Sequence, residues 1–435
     1  MFSGISVVSF RVRPSTLEGE IAAPPSKSYT HRAFTIGLLA RGETTVLNPL
    51  ISFDTQATIE AVRTLGGEAL QRDNRWVVFG TGGRLRPRAD TIDVRNSGTT
   101  LRFMSAIAAL SKKPVRLTGD ESVRARPMGP LIEALKKLGA KARCEGPRGR
   151  APVIVGGGLA GGETEITGAI SSQFISALLL ACPYAKEDVD LVITDELVSK
   201  SYVEITLEML DQIGAGIKRN PKLTEFKIPG RQVFRGLEFA IPGDFSSASF
   251  ILGAAALAGK AVKVNNLDVR GAQGDKRIVN FLREFGADVK VRGKTVEVPE
   301  AAELSGIEAD CKDNPDLVPV LAVLGAVADG QTRLMNIPHL RLKETDRLRA
   351  LRVELSKLGA RVEELPGELR IRGVKQLKGA RVSSYGDHRM AMALAVAGLI
   401  ARGETIIDGA ESVSVSYPNF VDDMQKLGAQ IEIRK

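Results

Sequence analysis

The feature that most constrains this chain is a unit of about 73 residues repeated six times, marked by two periodic signals that run in phase. The first is a polar residue able to cap an apolar helix-like stretch, at Ser26, Ser97, Ser171, Ser246, Asn314 and Asp387, in steps of 71, 74, 75, 68 and 73 residues. The second is a glycine closing a segment that reads LGG, LGA, IGA, FGA, LGA and LGA. It falls at Gly66, Gly139, Gly214, Gly286, Gly359 and Gly428, in steps of 73, 75, 72, 73 and 69. A glycine at the end of helical periodicity reads as a left-handed C-terminal cap, because no side chain resists a positive φ there. The stretches that follow, such as AKARCE, ADVKVRG, ARVEEL and AQIEIRK, read as strands. Six copies of one αβ unit account for both series.

Within a unit the predicted order is a capped apolar helix, a strand such as ETTVLN or QTRLMN, a polar loop, the helix ending in Gly-Ala, and a closing strand or hairpin. The capped helices, TLRFMSAIAAL and LVPVLAVLGAVA among them, are apolar nearly all round and are expected inside. The Gly-Ala helices, LIEALKKLG and IVNFLREFG, are amphipathic and are expected to face water. At 435 residues the chain should hold two or more domains. Pro and Gly break the pattern at Ile21 to Pro25 and in AIPGDF, Ala240 to Phe245. The expected division is therefore 1–22 with 243–435 as one domain and 23–242 as the other, with a strand from about Val7 to Arg13 returning to the C-terminal domain. If the buried helices lie parallel in threes, their N-termini converge at one end of each domain. Two such ends facing each other would set six positive helix termini around one cleft.

Composition narrows the function. Lys and Arg outnumber Asp and Glu by 60 to 51, which suits an anionic small ligand. Nucleic acid is the weaker reading, since the basic residues are dispersed and aromatics make up only 5%, too few for stacking platforms. Three scattered cysteines and three histidines give neither a disulfide framework nor metal-ligand spacing. MFSGISVVSFRVRP lacks a basic leader followed by a long apolar block, and the longest apolar runs, about a dozen residues, are too short to span a bilayer. A cytoplasmic protein without metal is expected.

Polar residues cluster at the predicted helix starts. PPSKSYTHR opens a helix with Lys27, Ser28 and Arg32 beside unpaired backbone N–H groups, the makings of a phosphate or carboxylate site. NSGTTLR offers Asn96, Ser97, Gly98, Thr99 and Arg102, with Gly98 small enough to let a ligand near the backbone, and VRARP adds Arg124 and Arg126. Further on stand Ser171, Ser172 and Gln173, then Ser199, Lys200 and Tyr202, then Asp316 in NPDL, RLKETDRLR with Lys343, Glu344, Asp346, Arg347 and Arg349, and finally Asp387, His388 and Arg389. Each has a plainer reading: Asp316 as a dipole partner, Lys343 and Arg347 as an ordinary i,i+4 helix face, SSQ as a simple cap. GGGLAGG formally fits G-x-G-x-x-G, but a strand-like TEIT follows it, and no G-x-x-x-x-G-K-[ST] is present. The recurrence of polar groups at equivalent points of six units favours a site.

PSKSYTHR, NSGTTLRF, RARPM, SSQF, LVSKSY, NPD, RLKETDRL and GDHRMAMA, in this order over nearly the whole chain, resemble the motifs of the 5-enolpyruvylshikimate-3-phosphate (EPSP) synthase family. The resemblance implies an α/β enolpyruvyl transferase fold of two globular domains, each of three βαβαββ repeats with pseudo-threefold symmetry, closing over shikimate-3-phosphate and phosphoenolpyruvate at an interdomain cleft. It implies a monomer acting on small molecules, with no cofactor and no nucleic-acid or membrane partner. Position by position, it implies that Lys27, Ser28, Arg32, Ser171, Ser172, Gln173, Ser199, Tyr202, Asp316, His339 and Lys343 hold shikimate-3-phosphate. Lys27, Asn96, Gly98, Thr99, Arg126, Gln173, Arg347 and Arg389 would hold phosphoenolpyruvate. Asp316, Glu344, Lys343 and Lys27 would carry the chemistry, with Asp316 as base and Glu344 as acid.

Two positions depart from the family pattern. Val415 stands where many members have a lysine, and His339 where some have asparagine. The related transferase acting on UDP-N-acetylglucosamine places a cysteine near the second unit's arginines, whereas no cysteine occurs here between Thr118 and Leu138. A non-catalytic phospholigand-binding or RNA-associated protein on the same repeat is a further alternative. It is disfavoured because acidic groups in an anion site weaken binding unless chemistry needs them.

Overall fold

The structure is a computed structural model that describes residues 8–73 and 75–435. Val7, the expected start of the first strand, lies outside the described residues, and that strand runs Ser9–Arg13. The chain divides into two compact units, one made of the residues up to Pro24 with Pro242–Lys435, the other of Pro25–Ile241.

Each unit contains three four-stranded sheets, and all six have one topology: a parallel pair, then two strands added antiparallel. In the sheet Glu238–Ala240, Arg41–Leu47, Arg75–Thr81, Glu68–Arg72, for example, the first two strands are parallel and the rest alternate. This sheet is closed from the far end of its unit, since Glu238–Ala240 is 191 residues beyond the end of the strand it joins. The other unit is closed from the N-terminus. Ser9–Arg13 pairs with Thr405–Asp408 and Gln430–Arg434, while Leu17–Ala22 forms the edge beside Gly259–Asn265.

All six repeat glycines have positive φ, from 77° at Gly214 to 106° at Gly66, as a left-handed cap requires. The apolar helices lie inside. In Val318–Val327 every residue but the last is buried, and burying each Leu or Val there contributes roughly 1.5–3 kcal/mol before conformational entropy is charged against it. This helix and Phe245–Ala258 and His388–Ile400 pack on one another at the centre of their unit. The outer helices, such as Gly129–Lys137, bury one face only.

Local starts differ from expectation at three places. Ser26 caps its helix by backbone position alone, without a side-chain bond. The fourth helix is capped by Asp244, whose carboxylate accepts the N–H of Ser247 at 2.9 Å, so Ser246 lies inside the first turn. The fifth begins at Val318, because Asn314 to Leu317 forms a separate turn closed by Leu317 N–H to Asn314 O at 3.1 Å. Asp316 therefore sits just before the helix.

A further repeat signal is visible in the packing. Gly37, Gly325 and Gly398 each lie near the end of an inner helix, seven residues before Thr44, Thr332 and Thr405 of the next strand. A Cβ on Gly325 would stand 2.8 Å from Thr332 Cβ and 3.1 Å from its Cγ2, atoms that a β-branched side chain in a strand cannot swing away. Gly325→Ala gains about 1 kcal/mol of helix propensity but overpacks the core at a cost of about 1–3 kcal/mol or more. We expect a lower urea midpoint for this variant. A midpoint equal to or above that of the parent would mean the helix and strand can separate freely there.

Candidate active site

Helix Lys27–Leu39 begins with Lys27, whose Nζ is 3.0 Å from Asp54 Oδ2, with both side chains largely buried. Deeper along the helix, Arg32 is 2% exposed. Its Nε donates to Thr206 Oγ1 at 2.7 Å, Nη1 to Ser28 O at 2.9 Å, and Nη2 to Tyr202 O at 2.7 Å, while Phe103 lies under the guanidinium. All these partners are neutral, and burial lowers the Arg32 pKa to about 10. Arg32 is thus an inward-held cation that a carboxylate would relieve.

Around it the next two inner helices contribute their first turns. Ser97 caps Gly98–Ala108, and Ser171 caps Ser172–Ala181 through the N–H of Gln173. Gln173 joins these helices, its Nε2 donating to Thr99 Oγ1 at 2.9 Å and its Oε1 accepting from Arg102. Gly98 is where a close approach matters: an added Cβ would lie 2.5 Å from Arg126 Nη1. Asn96 donates to Asp120, Ser172 and Ser199 are buried, and Ser199 takes φ 54° immediately before helix Lys200–Gln212, which carries Tyr202. Beneath these groups a buried relay runs from His31 Nδ1 to Thr58 at 2.7 Å, on to Thr100 at 2.6 Å and to Ser97 at 2.7 Å. Burial, with the charges of Lys27 and Arg32 adding, keeps His31 well below its ordinary pKa.

The other unit gathers acids as well as bases. Arg347, 1% exposed, opens helix Arg347–Lys357 and touches three carboxylates: Asp316 at 2.9 Å, Glu344 at 2.7 Å and Asp387 at 2.7 Å. Burial works to lower its pKa, but the charges of Asp387, Glu344 and Asp316 outweigh this and hold the guanidinium above its ordinary value. Asp316 uses its other oxygen on Arg389 Nη2 at 2.9 Å, and Asp387 caps helix His388–Ile400. Asp275 receives Ser246 and, at 3.3 Å, Asn314, so groups from the starts of all three inner helices meet. Burial, and next the charge of Asp316, push Asp275 up to about 6.

His339 is buried, and among the described residues neither ring nitrogen has a hydrogen-bond partner. Burial, followed by the charge of Lys343, lowers its pKa to about 3. Lys343 and Glu344 lie before helix Arg347–Lys357, which is capped by Asp346, so the 343–347 pair is not an i,i+4 helix face. Val415 ends a short 3-10 segment and is half-buried.

The candidate residues divide between the units: Lys27, Ser28, Arg32, Asn96, Gly98, Thr99, Arg126, Ser171, Ser172, Gln173, Ser199 and Tyr202 in one, Asp316, His339, Lys343, Glu344, Arg347 and Arg389 in the other. Sequence reasoning missed Asp54 and Asp275 and left Arg102 and Asp387 outside the site. A signal for the first two was present. Counting back eleven to thirteen residues from each capping glycine reaches Asp54, Arg126, Tyr202, Asp275, Arg347 and Val415, each within three residues of the start of its outer helix except Val415, five residues before.

The fold is that of an enolpyruvyl transferase. The profile of the EPSP synthase (3-phosphoshikimate 1-carboxyvinyltransferase) family matches residues 12–424. The chain is 46% identical over 422 residues to a 3-phosphoshikimate 1-carboxyvinyltransferase of Methanocaldococcus jannaschii, covering 96% of this chain and 97% of that one. It is 49% identical over 422 residues to the same-named protein of Methanococcoides burtonii, with coverage of 96% and 97%. Among solved structures, EPSP synthase from Acinetobacter baumannii superposes with a TM-score of 0.82 at 26% identity, over 98% of this chain and all of that one. The chain belongs to the EPSP synthase family.

The histidine yields a pH test. A His with pKa near 6.5 unfolded and about 3 folded takes up a proton on unfolding between those values. Its contribution to stability is complete above pH 6.5 and is lost as pH falls, by about 1.4 kcal/mol per unit within the window. His339→Asn should therefore flatten the fall in urea midpoint between pH 7 and pH 5. An unchanged slope would mean that the folded ring protonates as readily as the unfolded one.

Proposed function

We propose that this chain transfers the enolpyruvyl group of phosphoenolpyruvate to the 5-hydroxyl of shikimate-3-phosphate, releasing phosphate, a step toward chorismate and the aromatic amino acids. The observation that carries the reading is the contact of Asp316 with both Arg347 and Arg389, a carboxylate held by two guanidinium groups, one at the start of an outer helix and one at the start of an inner helix. Guanidinium forks match phosphate and carboxylate oxygens bidentately, so phosphoenolpyruvate suits Arg347 and Arg389, with Arg126, Lys27, Gln173 and the backbone at Asn96 to Thr99. Shikimate-3-phosphate suits the serines, Gln173, Tyr202 and His339 with its phosphate and ring hydroxyls, and Arg32 with its carboxylate.

The chemistry follows from the charges. When an anion occupies Arg347 and Arg389, their hold on Asp316 and Glu344 weakens, and both carboxylates become more basic. Asp316 then takes the proton of the 5-hydroxyl as the oxygen attacks C2 of the enol, with Lys343 and Lys27 balancing the developing charge. Glu344, protonated in the presence of the bound anion, delivers a proton to C3. The tetrahedral adduct expels phosphate, which leaves with the proton that Asp316 took from the hydroxyl, and Glu344 takes a proton back from C3 to restore the enol ether. Addition and elimination need only acid–base and anion-holding groups, so no cofactor enters this reading. Its partners are two small anions, with neither nucleic acid nor membrane, and the chain acts as a cytoplasmic monomer. Among the described residues no helix is long and apolar enough to cross a membrane. The UDP-N-acetylglucosamine reading is not favoured, because the relatives are named for the shikimate substrate.

Phosphate release from phosphoenolpyruvate by the purified protein tests the proposal. Release should depend on shikimate-3-phosphate and be accompanied by an enolpyruvyl ether in the proton NMR spectrum. Release with UDP-N-acetylglucosamine alone would favour the related transferase, and binding without release would favour a phospholigand-binding protein. Asp316→Asn should lower kcat by about 10²–10⁴ while still binding shikimate-3-phosphate. Full turnover would remove Asp316 from the base role. Arg126→Ala should chiefly raise KM for phosphoenolpyruvate, and an unchanged KM would place Arg126 outside the site.

A further inference from the structure

Helix Arg347–Lys357 holds a second buried charge with no part in the reaction above. Glu354 has a fully covered carboxylate, seven residues after Arg347 and therefore two turns along the same face. Its Oε1 accepts the hydroxyl of Tyr385 at 2.6 Å and its Oε2 the N–H of Ser383 at 3.0 Å, with Lys357 Nζ 2.8 Å from both oxygens. Burying a carboxylate costs several kcal/mol unless its lone pairs are matched, and here each oxygen has a donor from the 383–385 turn.

That turn leads directly to Asp387. Tyr385 has φ 55°, a left-handed conformation that a bulky residue adopts only when its surroundings hold it there. Ser384 Oγ donates to Gly409 O at 2.8 Å and accepts Gly386 N–H at 3.1 Å, and Asp387 N–H reaches Ser384 O at 3.0 Å. Asp387 then grips Arg347 and caps the helix that begins with His388 and Arg389. The outer helix and the turn are thus fastened at two points, Arg347 to Asp387 and Glu354 to Ser383 and Tyr385, forming a closed frame.

We infer that Glu354, with Tyr385, is a positioning residue. It fixes the 383–387 turn and, through Asp387, the direction of Arg347 and Arg389. An ion pair with Lys357 alone would need no contact with the turn. The kinetic part of this inference rests on the function proposed above, the structural part does not.

The test uses the full chain with Glu354→Gln and the milder Tyr385→Phe, which removes one hydroxyl from a half-exposed ring. Hydrogen exchange should speed up about tenfold or more at the amides of 384–389 in Glu354→Gln, and less in Tyr385→Phe, while helix Val318–Val327 keeps its protection. In turnover, KM for phosphoenolpyruvate should rise roughly tenfold in Glu354→Gln with KM for shikimate-3-phosphate unchanged. Unchanged exchange at 384–389 in both variants would overturn the inference. Faster exchange with an unaltered KM for phosphoenolpyruvate would also overturn it, leaving Glu354 as a stabilising group only. If the parent chain shows no transfer, the functional reading fails, and the exchange result still decides whether Glu354 holds the turn.

Discussion

A helix that is apolar on every side must be covered on every side, and in this chain three such helices share the centre of one unit with their N-terminal turns joined by side chains. That arrangement gathers unpaired N–H groups and like partial charges at one place. Left alone it would be costly. The helix starts are therefore threaded with acceptors: Asp244 and Asp387 as caps, Asp275 between Ser246 and Asn314, and Asp316 on Arg389. The polar groups that allow the core to form are the same ones that can meet an anion, so the site follows from the packing of the repeat.

The two units answer this constraint with different chemistry. Around Arg32 the partners are hydroxyls and backbone carbonyls, so the guanidinium keeps its charge uncompensated and its pKa falls to about 10 with burial. Around Arg347 three carboxylates more than offset the same burial. A site of the first kind holds an anion. A site of the second kind holds one only by displacing its own carboxylates, and that exchange alters their basicity at the moment of binding. One repeat thus presents two groups of different residue composition, one with its cation uncompensated and one with its cation already paired.

Much of this was legible in the sequence because the repeat writes the same local signals six times. The capping glycines, the apolar inner helices and the amphipathic outer ones all depend on periodicity within some fifteen residues, and all six glycines adopt the conformation expected of them. Helix starts were less legible. Asp244 and Ser246 are both good caps, and only the turn geometry selects the first. Asp316 looked like a first-turn residue because Asn-Pro-Asp commonly opens a helix, yet Pro315 and Asn314 make a turn of their own. The contacts least legible were those between separate elements, within a repeat or across two. Lys27 with Asp54, Arg347 with Asp387 and Ser246 with Asp275 join residues 27, 40 and 29 positions apart, and no local pattern carries them. They become readable only when the repeats are laid over one another and the same position before each outer helix is compared.

The sheets show how the repeat is closed without leaving a half-finished edge. Each requires a parallel first strand, which a preceding repeat supplies except at the beginning of a unit. Glu238–Ala240 fills that place for Arg41–Leu47 from the end of its own unit, and Leu17–Ala22 fills it for Gly259–Asn265 from the start of the chain. Ser9–Arg13 goes further and supplies the strand between Thr405–Asp408 and Gln430–Arg434. The unit that holds Arg347 is therefore incomplete until residues 393 to 425 positions apart have paired, a contact of high loop-closure cost. The helix His388–Ile400 packs against Ser9–Arg13, so the element bearing Arg389 depends on that last pairing for part of its support. Assembly of the acid-bearing site is in this way tied to completion of the whole unit.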